Sequence, residues 1–153
     1  MIILPIWPVN MRKPPRVFVD VNIILDLLCG RGDFYAPAAE LFTLSETGKI
    51  ELYTSALAFA ITFYVLRKSL GNLAARNSLR KLKLLLRTLP VNERIIDLGL
   101  NSDFSDYEDA LQYFTAREHG ISVFLTRNTK DYKVKDIIIQ TAEEYLKSKN
   151  LYS

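Results

Sequence analysis

Residues Arg16-Val17-Phe18-Val19 form a short β-branched and aromatic run, and the next residue, Asp20, is a carboxylate. Such a run reads as a buried strand. Val21-Asn22-Ile23-Ile24-Leu25-Asp26-Leu27-Leu28 follow with no spacer and carry apolar residues at helical spacing. A strand that passes directly into an amphipathic helix is the opening unit of an α/β sheet. It also places Asp20 at the carboxyl end of a strand, where open parallel sheets gather their ligands.

The remaining segments alternate in the same way. After a helix over 22–29 and the Gly30–Asp33 turn, residues 36–47 fit a helix and Ile50–Tyr53 a short strand. Ser55 is placed to N-cap a helix running to about Leu70, and a further helix is expected over 73–88. Leu89–Asn92 reads as a brief strand and 93–100 as a short helix. An acidic cluster, Asp103 to Asp109, then opens a helix that ends near His119. Ser122–Thr126 and Val134–Ile139 are apolar strands, and Thr141 caps a last helix through about Lys149. Strands separated by helices indicate βαβ units with right-handed crossovers. The expected architecture is one α/β domain over 16–150, with a mainly parallel sheet of four or five strands. Residues 1–15 are expected to be an N-terminal arm or an alternative-start extension.

Composition excludes several classes. No uninterrupted apolar run approaches the ~18 residues of a membrane span. One cysteine, Cys29, and one histidine, His119, can make neither an intrachain disulfide nor a Cys/His zinc site. The cysteine usage points to a reducing, cytoplasmic compartment. Cys29 reads as a buried apolar thiol and His119 as a helix-end residue before Gly120. The formal charge of +3 permits a polyanionic partner without requiring one. No glycine-rich phosphate loop follows the first strand, and no serine sits in a nucleophile elbow.

Each acid has a structural reading beside a chemical one. Asp20 precedes a helix and is a candidate N-cap. Ser105-Asp106-Tyr107-Glu108 fits a capping box with Ser105 at the N-cap and Glu108 at the third helical position. In that register Asp106 and Asp109 lie three apart on one face, free to point together. A third segment, Thr126-Arg127-Asn128-Thr129-Lys130-Asp131, follows another apolar strand. Carboxylates gathered at several strand ends repel one another unless a cation neutralises them. Hard oxygen ligands suit magnesium or manganese, ions that support phosphodiester chemistry.

Taken in order, Val17 to Leu28, Thr54-Ser55 with its helix, Asp106-Tyr107-Glu108-Asp109-Ala110-Leu111-Gln112 and Thr126 to Tyr132 resemble the PIN domain family over about residues 16–147. The resemblance implies a three-layer α/β/α fold and a ribonuclease dependent on Mg2+ or Mn2+. Many relatives are toxins of toxin–antitoxin pairs. By position, Asp20 matches the first metal ligand, with Asn22 the polar residue beside it. Asp109 matches the acid opening the later helix, and Asp131 the second aspartate of the Thr-Arg-Asp-x-x-Asp motif. Two usual acids are replaced, one by Ile61 or Thr62 and one by Asn128, and Asp106 is the candidate to substitute for one of them. The expected catalytic and metal-binding set is therefore Asp20, Asp106 and Asp109, with Asp131 as a further ligand and Asn22 and Asn128 in support. RNA, a cognate antitoxin and a second copy of the chain are the implied partners. The alternative is a catalytically weakened PIN-fold module that acts by binding RNA or protein.

Arg76, Arg80, Lys83 and Arg87 recur at four, three and four residues on the helix expected over 73–88, opposite Leu79, Leu82 and Leu86. This stripe is either a solvated amphipathic face or an RNA-binding surface. Arg127 joins it as an RNA-binding candidate. Tyr107, Tyr113 and Phe114, near the acids, are candidates for base stacking or for the core.

Overall fold

A computed structural model describes residues 13–149. Most of the expected N-terminal arm, residues 1–12, lies outside the described residues. Five strands, β1 (Arg16–Val19), β2 (Glu51–Ser55), β3 (Arg87–Leu89), β4 (Val123–Leu125) and β5 (Ile138–Gln140), form one sheet in the order β3-β2-β1-β4-β5. All four pairings are parallel. Helices α1 (Val21–Leu28) and α2 (Tyr35–Glu46) link β1 to β2, and α3 (Ala56–Leu70) and α4 (Asn72–Lys83) link β2 to β3. Helices α5 (Glu93–Leu100) and α6 (Tyr107–Glu118) link β3 to β4, and α7 (Ala142–Ser148) follows β5.

The period-two alternation of the strands divides the apolar residues between two layers. Val17, Val19, Leu52 and Leu125 face a core shared with side chains of α1, α2, α3, α4 and α7. Phe18, Tyr53 and Phe124 face a second core with Ile95 of α5 and Ala110, Tyr113 and Phe114 of α6. Register fixes the second core at its centre: Phe18 pairs with Tyr53 and with Phe124. The rings of Phe18 and Phe124 stack at 5.1 Å. Tyr113 and Phe114 are therefore core residues, which settles the choice left open by their sequence position.

Local signals place several boundaries. The Ser55 side chain accepts the amide of Ala58 and opens α3. Thr141 and Glu144 form a reciprocal capping box at α7. Four expectations fail, the first being the strand expected over Leu89–Asn92, which lies earlier, at Arg87–Leu89. The helix expected over 73–88 stops at Lys83, because the chain turns through Leu84 and Leu85 and extends into β3 beside β2. Arg87 is consequently a strand residue whose Nε lies 3.7 Å from Glu51, so it leaves the basic stripe. The strand expected over Val134–Ile139 is shorter and later, at Ile138–Gln140. Cys29 is exposed and not buried, because it caps the carboxyl end of α1, where the helix has left the core.

Candidate functional site

The sheet order reverses direction between β1 and β4: from β1 the chain proceeds outward to β2 and β3, then returns to β4 on the other side. The crevice at the carboxyl ends of these two strands is the topological switch point, the usual ligand position of open α/β sheets. Asp20 follows β1 directly at this point, and its backbone amide donates to the Leu125 carbonyl at 2.9 Å.

Asp20 is only 2 % exposed. Although it occupies the N-cap position of α1, its side chain makes no cap hydrogen bond to that helix. Its oxygens are held from the opposite direction. Gln112 Nε2, on α6, donates to Oδ1 at 2.8 Å, and the Thr126 hydroxyl, just past β4, donates to Oδ2 at 2.9 Å. Burial raises the Asp20 pKa, while Thr126, Gln112 and the nearby amides of Val21 and Asn22 act against that rise. Asn22 thus contributes through its backbone. The Thr126 hydroxyl also accepts the amide of Asn128 at 3.2 Å, tying the exposed Asn128 to the same arrangement.

The start of α6 differs from the expected capping box. The N-cap is Asp106, not Ser105, and its Oδ1 accepts the Asp109 amide at 3.0 Å. Asp caps a helix as well as Ser does, and moving the cap one residue later makes Asp109 the third helical residue. Asp106 therefore takes the N-cap role expected of Ser105, Glu108 is no longer the third helical residue, and its carboxyl is left half-buried near Asp106 and Asp20. Burial, and then those two charges, raise its pKa.

Asp109 is the most perturbed half-buried acid of the group. Its pKa is pushed up to about 6 by burial first and by the charge of Asp106 next, with smaller contributions from Asp20 and Asp131. The Tyr132 hydroxyl donates to its Oδ1 at 3.1 Å and partly offsets the rise. Asp131 ends a single 3₁₀ turn, Thr129–Asp131, and is exposed. Asp20, Asp106, Glu108, Asp109 and Asp131 are thus electrostatically coupled around one crevice. Among the described residues none of the five forms an ion pair with lysine or arginine.

The nearby arginine is engaged elsewhere. Arg127 Nη2 lies 3.1 Å from Oδ1 of Asp26, an acid of α1 that is 2 % exposed. Its guanidinium also lies over the Phe34 ring, 4.3 Å from the centroid. Arg31 approaches the same carboxylate at 4.0 Å. Arg127, expected to face RNA, is therefore held against α1, and it fixes the segment after β4 that carries Thr126 and Asn128.

A divalent cation fits this chemistry. The donors are hard oxygens, their charges are mutually repulsive and unpaired, and Gln112 Oε1 is buried with no hydrogen-bond partner among the described residues. Asp20 and Asp109 are the residues to hold such an ion, with Asp106, Asp131 and Glu108 at its margin. Among the described residues, no three carboxylate, imidazole or thiol groups are already drawn together as a complete ligand set. Thr62, on α3, is fully buried and offers a hydroxyl without a partner among the described residues.

The partners that build the site, Gln112, Thr126 and Tyr132, do not emerge from the sequence as functional. Gln112 had one usable signal: it stands one turn after Asp109, on the same face of the helix.

The basic stripe stands elsewhere. Arg76, Arg80 and Lys83 rim an apolar groove of about 540 Å3 between α3 and α4, floored by Phe59, Phe63 and Leu79. Helix α4 leads into β3, the edge strand two positions from β1.

A PIN domain family profile matches residues 16–130. The chain is 27% identical over 135 residues to Ribonuclease VapC1 of Aquifex aeolicus, covering 85% of this chain and 92% of that protein. Among solved structures, the fold is similar to DNA-bound VapBC from Salmonella typhimurium, with TM-score 0.64 and 15% identity over 84% of this chain and 98% of that one. It is also similar to VapBC2 from Rickettsia felis bound to a promoter DNA fragment, with TM-score 0.62 and 17% identity over 82% and 98% of the two chains. Mycobacterium tuberculosis VapC20, a sarcin-ricin loop cleaving toxin, gives TM-score 0.56 and 18% identity over 71% and 86%. The profile covers every strand from β1 to β4 together with Asp20, Asp109 and Asn128, and the chain belongs to the PIN domain family.

Proposed function

We propose that this protein is a divalent-cation-dependent endoribonuclease of the PIN type and the toxin of a toxin–antitoxin pair. The observation that carries the reading is the group of five coupled carboxylates at the switch point, none of them in an ion pair with lysine or arginine among the described residues. An arrangement that costs stability in isolation is retained where a cation and a phosphodiester use it. Magnesium or manganese, when bound, supplies charge neutralisation for the phosphodiester and favours ionisation of water. The chain's own residues do the rest. Gln112 and Thr126 fix both oxygens of Asp20, so its rotamer is set before substrate arrives. Tyr132 orients Asp109, a carboxylate whose charge burial and the neighbouring Asp106 disfavour and a cation would neutralise. The buried aromatic layer beneath keeps the floor rigid.

The resemblance to VapC and VapBC proteins supports the toxin reading and a protein antitoxin as partner. The apolar groove between α3 and α4, rimmed by Arg76, Arg80 and Lys83, fits an acidic amphipathic segment of such a partner better than it fits phosphates. The binding-module reading has its own support in Asn128 and in Ile61 or Thr62, uncharged residues where the family resemblance implies acids. Cleavage of single-stranded RNA decides between them. The wild-type protein is expected to cleave with manganese, to stop in EDTA, and to lose most activity as Asp20→Asn. Binding that ignores both metal and EDTA, with no cleavage, would select the module.

A further inference from the structure

A cleft of about 720 Å3 opens beside the carboxylates, between the loop before α6 and the segment after β4. Its size falls within the roughly 300–1,000 Å3 of pockets that enclose small ligands. Its lining combines the rings of Phe104 and Phe114, the cations of Arg117, Lys130 and Lys133, and the carboxylates of Asp103 and Asp131. Asp131 lines the cleft, and the next residue, Tyr132, packs against the cleft's Phe104 at 5.8 Å and hydrogen-bonds Asp109 at 3.1 Å. The cleft is therefore continuous with the acidic site.

Its cations are disposed differently from one another. Arg117 lies over the Phe114 ring at 4.8 Å and is paired with Glu118 at 3.3 Å. Lys130 and Lys133 are exposed and form no ion pair among the described residues. Phe104 is half-buried, and it is braced by the rings of Tyr113 at 5.3 Å and Tyr132 at 5.8 Å. Two free ammonium groups beside a braced aromatic surface suit a nucleotide: the phosphate meets the charges, and the base meets the ring.

We propose that this cleft is the subsite for the nucleotide next to the cleaved phosphodiester of a single-stranded RNA, with Lys130 and Lys133 on its phosphates and Phe104 against its base. The proposal rests on the nuclease reading for the position of the bond. It routes RNA across the segment between β4 and β5 and not along α4. It also gives a role to Lys130 and Lys133, which flank Asp131 and are otherwise unexplained.

The test is binding of a fluorescent single-stranded RNA dodecamer to the full chain in EDTA, between 50 and 200 mM salt (roughly the range over which phosphate contacts are read). Lys130→Gln/Lys133→Gln changes only exposed side chains, and circular dichroism confirms its fold. It is expected to weaken binding roughly tenfold at low salt. It should also flatten the slope of log affinity against log salt by about 1.4, at ~0.7 per single-strand phosphate contact. Phe104→Leu should weaken binding several-fold with the slope unchanged. Wild-type affinity and slope in the lysine variant would overturn the proposal. So would loss of binding only in an Arg76→Gln/Arg80→Gln/Lys83→Gln variant, or no RNA binding by the wild type. If the lysine and phenylalanine effects appear while the wild type never cleaves with manganese, the cleft stands as an RNA-binding site, and the nuclease reading falls together with the placement beside a cleaved bond. Normal cleavage with unchanged binding in the variants is the reverse result.

Discussion

Replacing Asp109 with asparagine should stabilise the metal-free protein at neutral pH. In the fold its pKa is raised from an ordinary 3.8 to about 6, so the folded state binds this proton more tightly than the unfolded chain does. Its contribution to stability is consequently lost as pH rises from about 4 towards 6, and is constant above that. The full difference corresponds to about 3 kcal/mol at ~1.36 kcal/mol per pKa unit. Asp109 is half-buried, and water and salt screen its neighbours, so about half that value is the working expectation. For a domain of this size ~1.5 kcal/mol corresponds to roughly 3–6 °C in Tm. Asparagine retains an oxygen for the Tyr132 hydroxyl. The assay is thermal unfolding in EDTA from pH 4 to pH 8. Wild type and Asp109→Asn should coincide near pH 4 and separate above pH 6, with the variant more stable. Manganese should raise the wild type and close the gap. Parallel curves at all pH values would refute the claim that Asp109 is held in a repulsive acidic environment.

Other substitutions probe the supports. Gln112→Leu removes the 2.8 Å donor to the buried Asp20 and should cost about 1–3 kcal/mol in urea unfolding. It should also move the acidic limb of the pH–rate profile upward, because Asp20 then protonates more easily. Arg127→Ala strands the buried Asp26 with only the distant Arg31, at a cost of about 3 kcal/mol near pH 7. That penalty should shrink as pH falls and Asp26 takes a proton, and Asp26→Asn should recover part of it; a pH-independent loss would point to packing on Phe34 instead. Asn128→Asp adds a carboxylate beside Thr126 and should tighten manganese binding several-fold by calorimetry, while lowering stability in EDTA at neutral pH.

What the sequence discloses here follows from the range of the interactions involved. Asp20 at the end of β1, Ser55 opening α3 and the Thr141–Glu144 box at α7 are set within a few residues, and each is readable in place. Arg87 misleads because Leu82, Leu86 and the charges around them continue a helical pattern that β2 overrides by pairing. The cap of α6 misleads because Ser105 and Asp106 are equally good caps, and only the path of the chain selects between them. The support of Asp20 was out of reach: Gln112 and Thr126 are 92 and 106 residues away in sequence. The same holds for Arg127, whose guanidinium is drawn back to Asp26 by a buried charge on the first helix.

If Asp20 and Asp109 share one divalent cation at the switch point, each is needed for its binding. Manganese titration by calorimetry of wild type, Asp20→Asn, Asp109→Asn and the remote surface variant Glu143→Gln measures it directly. Saturable binding is expected for wild type and Glu143→Gln, with a loss of at least tenfold in affinity in each of the two site variants. Equal manganese affinity in all four proteins would contradict the shared cation.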